Sequence, residues 1–72
     1  MLAKRNAPMA AHSFDFKGSA VQVERGTHRW RLTHQGQVVE SRDLSSGVEQ
    51  LLGKSRSNMA LVIRILEWHA VE

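Results

Sequence analysis

Apolar and polar positions alternate most clearly in the stretch Arg29 to Arg42, RWRLTHQGQVVESR. Gln35-Gly36 sits at its centre, and a glycine there can take the positive φ that a tight hairpin turn needs. With Gln35-Gly36 as a two-residue loop, Thr33 pairs with Val38, Leu32 with Val39, Arg31 with Glu40 and Trp30 with Ser41. Side chains alternate across a strand, so Trp30, Leu32, Val39 and Ser41 share an apolar face. Arg29, Arg31, Thr33, Val38, Glu40 and Arg42 share a charged one.

Residues 20–25 (AVQVER) alternate in the same way and run into Gly26. A loop at Arg25-Gly26 pairs Val21 with Trp30, whereas a loop at Gly26-Thr27 pairs Val23 with Trp30. The two registers differ by two residues, so either one puts Val21 and Val23 on the face of Trp30 and Leu32. Residues 12–17 hold the short alternation Phe14-Asp15-Phe16, which suggests a further strand. A bulge or bend at Gly18 would bring both phenylalanines to the core side.

After the strands the period changes. Leu44, Val48, Leu51 and Leu52 fall at i, i+4, i+7 and i+8, one helical face. Asp43 is a suitable N-cap, with Ser45 and Ser46 as competitors, and Gly53 is a natural stop. Gly47 inside this helix costs about 1 kcal/mol relative to alanine. From Met59 to Val71 the β-branched residues favour a strand, but the polar residues Arg64 and Glu67 fall with Ala60 and Val71 at i, i+4, i+7 and i+11, one narrow helical stripe. The segment is also long for a strand, so a helix is expected, capped by Ser57 or Asn58. The fold predicted is α+β: a three-stranded antiparallel meander, open to a fourth N-terminal strand, followed by two C-terminal helices packed on one face. Residues 1–11 read as a disordered basic tail, and 12–72 as a single small domain.

The chain has 72 residues, no cysteine, a formal charge of +3 and a pI near 10.2. Disulfides and thiolate metal sites are excluded, and the composition fits a reducing cytosol. No apolar run is long enough to span a membrane, and MLAKRNAPMAAH lacks the apolar stretch of a secretory signal. Lys4 and Arg5 account for two of the ten cations; residues 12–72 carry eight cations and seven acids. The basic balance is therefore a weak argument for a polyanionic partner.

Four histidines, at positions 12, 28, 34 and 69, invite a metal reading. His28 and His34 on one strand would lie roughly 20 Å apart at ~3.3 Å per residue, too far to share an ion. No nucleophile elbow, P-loop or dinucleotide fingerprint occurs, and the serines sit where turns and caps want them. No catalytic residues, metal, cofactor or small-molecule substrate are expected.

The segment Leu52-Gly53-Lys54-Ser55-Arg56-Ser57-Asn58-Met59, continuing to Leu66-Glu67, resembles the helix-turn-helix of bacterial regulators. That resemblance covers about a third of the chain. It implies that Arg56, Ser57 and Asn58 meet phosphates and bases at the start of a recognition helix. The alternative is a loop of turn and cap residues between two core helices. Candidate nucleic-acid contacts are thus Arg29, Arg31 and Arg42 on the sheet, with Lys54, Arg56 and Asn58 at the inter-helix turn. The wide apolar arc of the last segment predicts self-association or a protein partner, with Leu61, Ile65 and Trp68 at the interface. The leading expectation is a small, non-enzymatic, cytosolic protein that binds nucleic acid in a regulatory role. The alternative is a protein-interaction module, either a dimerising adaptor or an inhibitor of a larger complex.

Overall fold

Two turns of one kind frame the sheet. Lys17 and Gly18 have φ of 51° and 83°, and Gln35 and Gly36 have 50° and 83°. Positive φ at both central residues suits the right-handed twist of flanking strands, which is why two-residue hairpin loops use it. In the computed structural model, which describes residues 10–71, these turns join β1 (Ala10–Phe16) to β2 (Ser19–Arg25) and β3 (Trp30–His34) to β4 (Gln37–Ser41). The sheet is a four-stranded antiparallel meander in the order β1-β2-β3-β4.

The β3–β4 register is the one expected from the sequence, with Trp30 opposite Ser41 and Leu32 opposite Val39. The β2–β3 register is neither of the two anticipated. Arg25 pairs with Trp30 and Val23 with Leu32, because the connection is a four-residue loop closed by the Gly26 N–H donating to the Arg29 carbonyl at 2.9 Å. The shift is again even, so Val21 and Val23 keep the core face. His28 therefore lies in this loop rather than on the strand that carries His34. The Lys17-Gly18 turn sets Phe14 opposite Val21, so the change of parity takes no bulge. Strand β1 starts at Ala10, inside the stretch expected to be tail; residues 1–9, with Lys4 and Arg5, lie outside the described residues.

Helices α1 (Leu44–Leu52) and α2 (Arg56–Ala70) follow. Asp43 caps α1, its carboxylate accepting from the Ser46 N–H at 3.0 Å. Gly53 ends it with φ 92° and donates its N–H to the Glu49 carbonyl. Ser55 caps α2, accepting from the Asn58 N–H at 3.2 Å. Neither Ser57 nor Asn58 is the cap, because Gly53 turns the chain within two residues and the second helix can start earlier than expected. Nine residues are too few for a helix to stand alone in water, so α1 depends on burying Leu44, Val48 and Leu51.

The core lies between the sheet and the helices. Phe14, Val21, Val23, Trp30 and Leu32 come from the strands, and Leu44, Val48, Leu51, Leu61, Val62 and Ile65 from the helices. Phe16, Val39, Leu52 and Trp68 pack around its margin. Helix α1 covers β3 and β4, and α2 packs against α1 and β1. The α2–β1 seam has a specific fastening. Arg64 Nη1 donates to the Asp15 carbonyl at 3.0 Å, and its guanidinium lies 5.7 Å from the centre of the Phe14 ring. Trp68 stacks on His12 with centroids 5.6 Å apart and meets Phe14 edge-on at 5.8 Å.

Candidate interaction surfaces

The outer face of the sheet carries no helix. Strand alternation places Ser13, Gln22, Thr33 and Val38 there in one row, and Ala11, Glu24, Arg31 and Glu40 in the next. Arg29, Arg31, Glu24 and Glu40 form ion pairs there. Arg31 reaches Glu40 at 3.5 Å and Glu24 at 3.7 Å, while Arg29 reaches Glu40 at 3.1 Å. Exposed pairs of this kind add little stability, at most about 1 kcal/mol. Their effect is electrostatic: two of the three candidate sheet arginines already face carboxylates.

Arg42 differs. It follows the last strand, and among the described residues no ion pair involves it. With Thr27, His28 and Arg29 it lines an open depression of ≈ 590 Å³ at the β2–β3 loop end of the sheet. Lys54 and Arg56 are elsewhere, exposed in the turn between α1 and α2. The five candidate cations thus divide between two places instead of converging.

Asn58 belongs to neither place. It is only 4% exposed, and its side-chain amide donates to the Gly53 carbonyl. Together with the Ser55 hydroxyl, which accepts from the Asn58 backbone, it closes the inter-helix turn from inside. A base-reading role needs a free amide, so the helix-turn-helix resemblance loses this residue. What remains is a pair of helices joined by a short capped turn.

The expected partner residues are also relocated. Leu61 and Ile65 are 1% and 0% exposed, within the domain's own core. Trp68 is half-buried against His12 and Phe14. The exposed large apolar residues of α2 are instead Met59 (47%), Ile63 (55%) and Leu66 (47%). Beside them runs an open groove of ≈ 470 Å³ between α1 and α2. Val48, Met59, Ala60 and Ile63 are its apolar lining, and Ser45, Glu49, Lys54 and Arg56 contribute at its polar margin. The sequence held the signal for this surface, since Met59, Ile63, Leu66 and Ala70 recur at steps of four, three and four.

The histidines are spread among aromatic contacts. His12 stacks on Trp68, His34 meets Phe16 edge-on, and His69 meets Trp30 edge-on at 5.1 Å. Among the described residues no three His, Asp or Glu side chains are placed to hold a metal ion. No described helix is long and apolar enough to cross a membrane. Comparison with protein-family models, with curated proteins and with solved structures finds no match to this chain.

Proposed function

We propose that this chain is a protein-interaction module that docks a partner through the outer face of α2 and the groove beside it. The observation that carries the proposal is the row Met59, Ile63 and Leu66, three large apolar side chains each about half exposed on one helix. Single exposed apolar residues are ordinary on a protein surface. A contiguous row beside an apolar groove, rimmed by polar groups, has the make-up of an interface: an apolar centre and a wet margin. The outer sheet face offers no such row; Val38 is the large apolar residue exposed there.

A photo-crosslinking amino acid at position 63, in the full chain expressed in its own cells, tests this. The same probe at Val38 is the control, because Val38 is equally exposed on the opposite side of the molecule. A discrete protein adduct at 63 that is missing at 38, and is lost on Met59→Glu, supports docking on α2. Equal adducts at both positions, or none at either, would refute it.

Nucleic-acid binding is the second reading. It is supported by Arg42, Lys54 and Arg56, exposed cations for which no ion pair is found among the described residues. Sequence-independent contacts to phosphates need only such cations. The paired Arg29 and Arg31, and the internal role of Asn58, leave fewer contacts for this reading than the sequence suggested.

A further inference from the structure

We infer that the occupant of the α2 face is a second copy of this chain, with the two α2 helices packed antiparallel. The inference rests on the docking reading above and names its partner. The stripe Met59, Ile63, Leu66 and Ala70 has the four-three spacing that keeps one helix seam facing another. All four residues are exposed. The stripe is graded in size, with three large side chains followed by alanine at its C-terminal end.

That gradient selects the orientation. In a parallel pair Met59 meets Met59 and Ala70 meets Ala70, which leaves one end crowded and the other empty. In an antiparallel pair Met59 of one copy meets Ala70 of the other, and Ile63 meets Leu66. Each large-small layer is repeated by the two-fold axis, as an interface between identical surfaces requires.

The charges run along the same helix in the same sense. Lys54 and Arg56 lie at its N-terminal end and Glu67 near its C-terminal end. A parallel pair sets like charges side by side. An antiparallel pair carries Arg56 of one copy towards the last turn of the other, where the unpaired carbonyls of the helix end concentrate negative potential. His69 is the basic residue of that turn, and it faces inward to Trp30, so the outer side of the helix end is open to an incoming cation. Size and charge therefore select the same orientation, and both are properties of one helix matched to itself.

Sedimentation of the full chain from low to high micromolar concentration should show a concentration-dependent dimer. Ile63→Glu should weaken dimerisation at least tenfold while leaving the far-UV circular dichroism unchanged. Because the chain has no cysteine, orientation can be tested directly. A mixture of Met59→Cys and Ala70→Cys chains should form a disulfide-linked dimer on mild oxidation, and neither variant should do so alone. A wild-type chain that stays monomeric throughout, or efficient self-linking of each single variant, would overturn the inference. If the chain is monomeric but the adduct at position 63 persists with another protein, self-pairing falls and the docking reading stands. If the adduct is missing as well, both fall.

Discussion

Gly47 of α1 lies so close to Leu32 of β3 that a Cβ on the glycine would come within 3.0 Å of Leu32 Cδ1. The same Cβ would be 3.2 Å from Ser41 Cβ. The helix rests directly on the β3–β4 hairpin at this point, and the missing side chain is the space that permits it. Gly47→Ala would improve helix propensity by about 1 kcal/mol. Overpacking a filled core costs about 1–3 kcal/mol, and Leu32 is fully buried, so it has little room to give. The expected net effect is a loss of about 1 kcal/mol, read as a lower urea midpoint at unchanged slope. A gain in stability would mean that α1 sits farther from the sheet.

Adjacent residues of β3 should behave very differently. Trp30 is 5% exposed in the core, and Arg31 is exposed between Glu24 and Glu40. Trp30→Ala should cost about 3–5 kcal/mol, the usual range for a large buried aromatic. Arg31→Ala should cost no more than about 1 kcal/mol. Thermal melts of the two variants compare them directly; similar losses would contradict the assignment of the two sheet faces.

The polyanion reading can be tested by how its contacts divide. Each phosphate contact contributes about −0.9 to the slope of log K against log salt on duplex DNA. If duplex DNA binds, Arg42→Ala should flatten that slope by about 1, and Arg31→Ala should leave it nearly unchanged because its guanidinium already faces two carboxylates. Asn58→Ala should lower thermal stability by about 1 kcal/mol, the worth of one internal hydrogen bond, without relaxing sequence preference. A titration in which Asn58→Ala changes sequence preference and leaves the melt alone would restore the recognition-helix reading.

How far the sequence could be read depended on which element had alternatives. The β3–β4 hairpin was legible to the residue because Gly36 marks the turn, and a two-residue loop at Gln35-Gly36 fixes the pairing on both sides of it. The Lys17-Gly18 turn has nearly the same φ values, but no alternation runs unbroken through it, and a lysine in its first position is a weak signal. The β2–β3 loop was misplaced because Gly26 suggests a tight turn while the chain closes a longer one around it.

Helix α2 posed a different problem. It has two apolar stripes, Leu61-Ile65-Trp68 and Met59-Ile63-Leu66-Ala70, with similar spacing. Local pattern does not say which one turns inward. Tertiary packing decides it: Leu61 and Ile65 enter the core with Val62, and Arg64 reaches over Phe14 to the Asp15 carbonyl alongside them. Leu61, Ile65 and Trp68, expected from sequence at an interface, therefore pack inside the domain or at the margin of its core. Asn58 was misread for a related reason, because its partner Gly53 is set by the geometry of the turn.

The fastening of Arg64 to Asp15 also bears on how the chain folds. The strand pairings join neighbours in a meander and can form as each hairpin closes. The α2–β1 seam joins groups 49 positions apart in sequence, the last element to the first. Closing a long loop costs entropy that short-range pairings do not. The seam thus makes a ladder of local contacts into a ring of mutually dependent elements. The contacts among Arg64, Phe14, Trp68 and His12 are what close that ring.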